Sequence, residues 1–432
     1  MGLGLRATWS ALRYAGLYRR AGGMNPDTLA GSIEAAVRWL CAAQDIVGGG
    51  GFARAYSLPH GWELPYPETT GYIIPTFLAL HAGFPGLGLE DRAWRAGHWL
   101  TEVQFESGAI CSKQHRPGNT KPSVFNTGMV LHGWVSLIEH QQALSRPSGT
   151  LSRPPGEGLS EGFRDGAARL RAAARKAVNW LIEEHDSDGA WVKNAYNGIP
   201  HTYYTMVDWA LLRYAALAHD DQASGAAFRH LEWTLRQQKA NGWFDHCWFG
   251  AGDPVTTHTL SYTTQGLVES ALLLGEGMAK SGEGRGTSEF WRSPAALAAS
   301  PSDLSSSPLA GRLIEAAIRA TEPLRRYFEE HGTIAGTFDE NWRLTATWEC
   351  CTGNAQTSLV WQALGKITGD TKWTEAARKL NLRLLQYQKV GCHVPGIDGA
   401  IPGSWPISGG YDRHAFPNHA AKFHIDALFE ES

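Results

Sequence analysis

The sequence predicts an all-α protein, an (α/α)6 toroid in which six helical hairpins form an inner and an outer ring of helices. Three repeated observations support this fold: an amphipathic helical segment, a glycine-containing turn after it, and a second segment that is apolar around most of its circumference. The first segment ends six times near a Gln or His, at Gln44, Gln104, His185, Gln238, His331 and Gln388. Repeats of this kind indicate units that bury their apolar faces against neighbouring units.

The first helix of each hairpin is predicted to lie in the outer ring. Apolar residues recur at helical spacing, as in Ala36, Leu40 and Ala43, and arginines occupy the opposite face. This one-sided pattern is typical of a helix with one exposed face. The predicted outer helices span 32–44, 89–104, 163–185, 222–238, 312–331 and 370–388.

The second helices are predicted to form the inner ring, because their apolar residues leave no face suited to water. Their first turns, in contrast, are polar. Helix N-termini present free N–H groups and a partial positive charge, so six of them at one end of a ring suit a hydroxyl-rich or anionic ligand. The predicted inner helices start near Glu68, Asn126, His201, Thr259, Trp348 and Asn418.

The repeats also predict the domain organisation. We expect residues 31–432 to form one toroid domain and residues 1–30 to form a flexible N-terminal arm. Two segments, 144–161 and 280–311, interrupt the array and are rich in Ser, Gly and Pro. Such composition is typical of surface insertions.

Composition excludes several classes of function. A net charge of −3 gives no electrostatic reason to expect nucleic-acid binding. The six cysteines show no C-x-x-C spacing of the kind that binds a metal, and we expect no metal site. We also expect no cofactor. No apolar run reaches about 18 residues, the length a transmembrane helix needs. Arginines throughout the first 20 residues argue against a signal peptide, so we expect a cytoplasmic protein whose arm is a candidate for contact with a membrane surface.

Carboxylates near the inner-helix starts are candidates for acid–base catalysis. A glycoside hydrolase needs two of them, roughly 5 to 10 Å apart. Glu68 paired with Glu349 or with Asp339 meets the chemical requirement. The alternative for each carboxylate is capping of a helix N-terminus.

Histidines and tyrosines near the third and fourth inner-helix starts are candidates for proton transfer. His258 and Tyr262 have the i, i+4 spacing that places them on one helix face. We consider His201, Tyr204 or His258 as a base and Tyr203 or Tyr262 as an acid. Packing alone also accounts for each tyrosine.

Substrate-binding candidates share a position near the same end of the ring. Asn126, Arg413 or Lys422 could neutralise the carboxylate of a uronic acid, which acidifies the proton on the adjacent carbon. Aromatic and polar side chains complete the predicted binding site, namely Trp62, Tyr72, Tyr203, Arg343, Trp348, Tyr411 and Asn418.

Over nearly its whole length the chain resembles six-hairpin toroid enzymes. One branch is carbohydrate-active and includes polysaccharide lyases, glycoside hydrolases and uronyl C5-epimerases. The turn from Gln238 to Gly242 and Trp243 is distantly similar to the Gln…Gly-Trp turns of terpenoid cyclases. The segments YPETTGY (66–72), FNTG (125–128) and CTGNAQ (351–356) resemble bacterial toroid proteins associated with exopolysaccharide genes.

The resemblance implies an enzyme that acts on an acidic, uronate-containing poly- or oligosaccharide, and we expect β-elimination by a polysaccharide lyase. The alternatives are a glycoside hydrolase, a uronyl C5-epimerase, a terpenoid cyclase-like enzyme and a non-catalytic glycan-binding component. The terpenoid alternative lacks an Asp-x-Asp-Asp acid, since DSDGAW at 186–191 differs from it. The exopolysaccharide association implies an assembly machinery as a partner.

Overall fold

The computed structural model describes residues 13–116, 118–144, 161–280 and 307–432. Twelve helices of this part of the chain, α1 to α12, alternate between an outer and an inner ring. The outer helices are α1 (Leu29–Asp45), α3 (Leu89–Glu102), α5 (Glu161–Glu183), α7 (Asp221–Arg236), α9 (Pro308–His331) and α11 (Thr371–Leu385). The inner helices are α2 (Pro67–Leu80), α4 (Val124–Leu144), α6 (Thr205–Ala218), α8 (Thr257–Lys280), α10 (Cys351–Thr368) and α12 (Asn418–Glu431).

The inner helices close into a ring. Each contacts the next inner helix, and α12 contacts α2. The packing is tight enough to require glycine at some crossings: a Cβ on Gly71 of α2 would lie 2.3 Å from the carbonyl oxygen of Met129 in α4. Buried apolar side chains fill the space between the two rings, because each hairpin buries its apolar faces there. The predicted all-α (α/α)6 toroid is confirmed.

The repeated glutamines hold the hairpins together. The Gln44 side-chain amide donates to the carbonyl of Gly50 in its own turn and to that of Arg92 in the next outer helix. Gln388 does the same with Gly399 and with Ser32 of α1, which joins the last hairpin to the first. Gln104 and Gln238 repeat the pattern. The sequence marker of the repeat is therefore a structural clamp.

Short strands connect the loops at the ends of the rings. The strands are β1 (Gly22–Met24), β2 (Ala55–Ser57), β3 (Gly61–Trp62), β4 (Ile110–Cys111), β5 (Pro122–Ser123), β6 (Val255–Thr256), β7 (Thr337–Phe338), β8 (Glu349–Cys350), β9 (Val390–Cys392), β10 (Ser404–Trp405) and β11 (Ala415–Pro417). Within the described residues they form four two-stranded sheets, β1–β9, β4–β5, β6–β7 and β8–β10, and one three-stranded sheet in the order β11–β2–β3. The strands of these sheets pair antiparallel.

The described part of the N-terminal arm packs against the last hairpin. Residues 13–20 are helical, and the buried Tyr18 donates its hydroxyl to the carbonyl of Tyr387 at 2.7 Å. Residues 1–12, and the insertion residues 145–160 and 281–306, lie outside the described part of the chain. Within that part, no helix has the length and apolar character needed to cross a membrane.

Candidate active site

A cleft of about 520 Å³ opens at the end of the ring where the inner helices begin. Its size lies within the range of roughly 300–1,000 Å³ that is usual for ligand sites. Several residues predicted from the sequence line it, and together they come from all six hairpins. They are Glu68, Asn126, Tyr203, His258, Tyr262, Trp348 and Tyr411.

Further polar residues of the lining are Arg54, Tyr66, Asp412 and His419, of which the sequence had pointed only to Tyr66, in the YPETTGY segment. Arg54 and Asp412 belong to loops, and Tyr66 immediately precedes α2. His419 is the second residue of α12. Its position one residue after the predicted helix start was the only sequence signal for His419.

Two buried histidines face each other at the base of the cleft. His258 begins α8 and His419 begins α12, and each is at most 5% exposed. Their rings are stacked, with centroids 5.6 Å apart and 21° between the planes. Gly353 of α10, which lies between these helices in the ring, permits close approach, since its Cβ would lie 2.6 Å from the backbone nitrogen of His258.

The contacts of His258 define which ring nitrogen carries its proton. Nδ1 lies 2.5 Å from Oε1 of Gln356, and an amide oxygen only accepts, so Nδ1–H is the donor. The Gln356 amide nitrogen in turn donates to Oε1 of Gln265 at 3.2 Å, which is consistent with this amide orientation. Nε2 of the neutral ring therefore keeps its lone pair. Burial, and secondarily the nearby His419, lowers the pKa of His258 to about 3, so this lone pair is free at neutral pH.

A chain of charged groups orients His419. Its Nε2 lies 3.5 Å from Oδ2 of Asp412, whose Oδ1 accepts from Nη1 of Arg54 at 2.7 Å. Arg54 also donates to Glu63 at 2.7 Å. Although burial alone would raise it, Arg54 and His419 hold the pKa of Asp412 well below its usual value. Asp412 is thus a permanent anion that fixes the histidine.

Tyr411 and Glu68 supply protons to the cleft. The Tyr411 hydroxyl lies 2.9 Å from Nε2 of His419, and burial raises the pKa of Tyr411 well above its usual value. Burial also raises the pKa of Glu68 to about 7, against the opposing effects of Tyr66 and Arg54. Glu68 is therefore partly protonated at neutral pH, whereas Asp412 is ionised.

The charges of the cleft do not favour an anionic substrate. Among the described residues that line it, Arg54 is the only Lys or Arg, and its guanidinium is already bound to two carboxylates. Arg413 is exposed outside the cleft. Lys422 lies deeper in the ring, with Nζ 2.6 Å from Asp426. Neither of the two cations predicted to neutralise a uronate faces the cleft.

Aromatic side chains form one wall. The indole of Trp348 packs so closely on Gly336 that a Cβ there would lie 2.2 Å from the ring, which leaves Trp348 little freedom to turn. Tyr196, Tyr203 and Phe249 continue the lining. Flat apolar faces beside a few polar groups are typical of sites that stack on the carbon faces of sugars.

The predicted carboxylate partners of Glu68 lie elsewhere. Glu349 is buried behind the cleft, where it accepts from Arg383 and from the Tyr387 hydroxyl at 2.6 Å. Asp339 accepts from the backbone N–H groups of Asn341 and Arg343 and so stabilises a turn. Neither carboxylate lines the cleft together with Glu68.

Other predicted residues also lie outside the lining. His201 is fully buried, with Nδ1 3.0 Å from the carbonyl of Trp248 and Nε2 2.8 Å from that of Tyr196. Backbone contacts or packing account for the rest. The Tyr204 hydroxyl accepts a hydrogen bond from the N–H of Tyr196, and the Asn418 amide donates to Ala53 and Thr69. The Tyr72 hydroxyl lies 3.5 Å from that of Tyr262. Trp62 packs on Trp39 and Tyr56, and Arg343 is exposed to solvent.

Comparison with known proteins places the fold. The structure is similar to a sugar epimerase from a ruminal bacterium (TM-score 0.62, 10% identity, covering 96% of this chain and 98% of that one). It is also similar to an unsaturated glucuronyl hydrolase from Bacillus sp. GL1 (TM-score 0.62, 12% identity, covering 93% of this chain and 96% of that one). A third similar structure is the cellobiose 2-epimerase of Bacillus thermoamylovorans (TM-score 0.60, 11% identity, covering 93% of this chain and 97% of that one). These proteins are (α/α)6 toroid carbohydrate-active enzymes. No protein-family model matches the chain, and no curated sequence matches it significantly.

Proposed function

We propose that this protein is a carbohydrate-active enzyme that moves a proton on a carbon next to the carbonyl of a neutral sugar, as a sugar epimerase or isomerase does. The observation that carries the proposal is the unprotonated Nε2 of His258 opposite the Tyr411–His419 pair. The fold is shared with a sugar epimerase and a cellobiose 2-epimerase, which supports the substrate class.

The proposed reaction requires an open-chain sugar with a free carbonyl. Nε2 of His258 takes the proton from the adjacent carbon, and the electron pair of that C–H bond moves onto the carbonyl oxygen to give an enediolate. The Tyr411 hydroxyl, which is hydrogen-bonded to His419, gives its proton to carbon, and the proton that His258 has taken returns through solvent to the Tyr411 phenolate. Delivery to the opposite face of the same carbon re-forms the carbonyl and gives the epimer. Delivery to the former carbonyl carbon, with the hydroxyl proton of the adjacent carbon passing to the former carbonyl oxygen, gives the isomer.

The charges of the cleft favour this reaction over the β-elimination predicted from the sequence. A lyase must neutralise the uronate carboxylate, and the only Lys or Arg among the described lining residues is already bound to Glu63 and Asp412. A neutral sugar needs hydrogen-bonding groups and an aromatic surface instead, and the cleft offers Asn126, Glu68 and Trp348 for these contacts.

A glycoside hydrolase is the second candidate, because the pKa values of two carboxyl groups in the cleft diverge. Glu68 is suited to act as an acid and Asp412 as an anion. Such divergence is the pattern of glycosidase pairs. The contacts of Asp412 with Arg54 and His419 restrain it from attacking a sugar, so we place this candidate second.

A product screen tests the proposal. The purified protein is incubated with neutral reducing mono- and disaccharides, and separately with neutral and uronate-containing oligosaccharides. We expect a new epimer or ketose from the reducing sugars, with no new reducing ends. New reducing ends without an unsaturated product would support the hydrolase instead, and an ultraviolet-absorbing unsaturated product would support the lyase.

A further inference from the structure

A second cavity, of about 100 Å³, lies at the opposite end of the inner ring, where the inner helices finish. Side chains of all six inner helices surround it, including His132 of α4 and Trp209 of α6. Its walls are mainly apolar and include Leu272, Leu359, Ala363, Ile425 and Phe429. None of its lining residues is shared with the cleft.

The charged groups around this cavity are paired except for one carboxylate. Lys422 pairs with Asp426 at 2.6 Å, and Lys366 pairs with Glu430. Glu269 of α8 projects into the same space. Within the described residues, no hydrogen bond or ion pair holds the Glu269 carboxylate.

Glu430 adds a second unsatisfied acceptor. Its side chain is only 4% exposed, and while Oε1 bonds to Lys366, Oε2 is buried without a hydrogen-bond partner in the described structure. An unsatisfied buried carboxylate oxygen is costly, because it has lost its hydration. Burial, with Glu430 as the next cause, raises the pKa of Glu269 to about 7. The carboxylates of Glu269 and Glu430 can therefore both accept a hydrogen bond from a ligand in the cavity.

The backbone adds to the negative potential. C-termini of helices carry a partial negative charge, and those of the inner ring point toward this end. Arg213, the other cation near Glu269, is itself bound to Glu139 at 2.6 Å. A ligand that suits the cavity therefore carries one positive charge with several N–H donors, on a short apolar body that fits the leucine and isoleucine walls.

We propose that this cavity is a binding site for a small organic ammonium ion, with Glu269 and Glu430 as acceptors and the apolar wall around its hydrocarbon part. The site is separate from the proposed sugar chemistry and does not depend on it. The carboxylates in the lining are those of Glu269, Asp426 and Glu430. Among the described residues no cluster of His, Cys, Asp or Glu side chains is arranged to hold a metal ion, so we assign the cavity to an organic cation.

The test is a calorimetric titration of the full-length protein with n-butylammonium at pH 8.5, where Glu269 is ionised. Butan-1-ol, of similar size but neutral, is titrated as the comparison ligand. We expect saturable binding of n-butylammonium and much weaker binding of the alcohol. Since a hydrogen bond to a charged group contributes about 1.5–3 kcal/mol, Glu269→Gln should weaken n-butylammonium binding by about tenfold or more.

Two further variants make the result decisive. Glu315→Gln removes an exposed carboxylate of the outer helix α9 and should bind n-butylammonium as the unmodified protein does. Ala363→Leu fills the apolar wall without changing any charge and should abolish binding. The proposal is overturned if n-butylammonium does not bind, if butan-1-ol binds equally well, or if folded Glu269→Gln and Ala363→Leu both bind it normally.

Discussion

The imidazole of His258 lies stacked on that of His419, with 5.6 Å between the ring centroids, although the two residues begin different, non-adjacent inner helices. Closure of the helical ring creates this relationship. The His258 imidazole is hydrogen-bonded to Gln356 through one nitrogen, and the lone pair of its other nitrogen is free. The His419 imidazole is held by Asp412 and Tyr411. A base and a proton source therefore sit on neighbouring sides of one cleft.

The first prediction concerns the base. Replacing His258 with Asn removes the free imidazole lone pair but keeps a polar side chain, and general-base catalysis is typically worth about 10²–10⁴-fold. We expect kcat for epimer or ketose formation to fall by that order, with the melting temperature little changed.

A matched control is available at the other end of the ring. His219 is exposed and has a left-handed backbone conformation with a φ of 53°, which Asn also tolerates. His219→Asn should retain full turnover. Equal turnover in His258→Asn and His219→Asn would refute the role of His258.

The second prediction concerns Asp412. Asp412→Asn leaves Arg54 with one carboxylate and removes the anion that orients His419. We expect kcat to fall and the free energy of unfolding to drop by about 1–3 kcal/mol, as for a charged hydrogen bond lost in a partly buried site. Urea unfolding measures this drop. Asp45→Asn is the control, because the Asp45 side chain, which pairs with Arg92, is more than half exposed. Loss of this exposed ion pair should lower the free energy of unfolding by only about 0–1 kcal/mol.

The third prediction concerns the pH dependence of stability. The pKa of Glu68 is about 7 in the folded protein and 4.5 as an ordinary glutamate, so the folded state binds more protons between these values. Glu68 therefore destabilises the fold progressively as pH rises from about 4.5 to 7, and no further above it. Relative to the unmodified protein, Glu68→Gln should gain stability across this window. A difference in unfolding free energy that stays constant with pH would contradict the assignment.

The fourth prediction separates a structural carboxylate from a catalytic one. The Glu349 carboxylate accepts hydrogen bonds from Arg383 of α11 and from Tyr387, which follows α11. It thereby links β8, the strand before α10, to the C-terminal end of the last hairpin's outer helix. Because removing one partner of a buried pair typically costs several kcal/mol, we expect Glu349→Gln to lose about 2–4 kcal/mol of stability. Turnover per folded molecule should not change. Loss of turnover in a variant of normal stability would instead place Glu349 in the reaction.

The fold was predictable because it repeats. The turns and the alternation of one-sided and all-round apolar segments recur six times. Each inner helix begins within about three residues of its predicted start except α6, which follows a short 3₁₀ turn. The glutamines that mark the repeat proved to be hydrogen-bonded clamps between hairpins. Local patterns with a structural cause of this kind can be read without knowing the tertiary structure.

The site was only partly predictable, because a polar helix start can face either the cleft or the outer ring. His258 faces the cleft, whereas Glu349, equally close to an inner-helix start, faces Arg383 of an outer helix. The Arg54–Asp412 pair joins the first and last hairpins, so it exists only after the ring closes. No local sequence pattern in either loop predicts the contact between Arg54 and Asp412.

Exchange of carbon-bound hydrogen with solvent tests the central claim most directly. The protein is incubated in deuterium oxide with the neutral reducing sugar that gives product in the screen, or with the full panel if none does, and spectra are followed by nuclear magnetic resonance. We expect deuterium at the carbon next to the carbonyl, and we expect this incorporation to be lost in His258→Asn and retained in His219→Asn. Absence of deuterium at that carbon in every sugar, or its incorporation at the same rate in His258→Asn, would contradict proton transfer by this histidine.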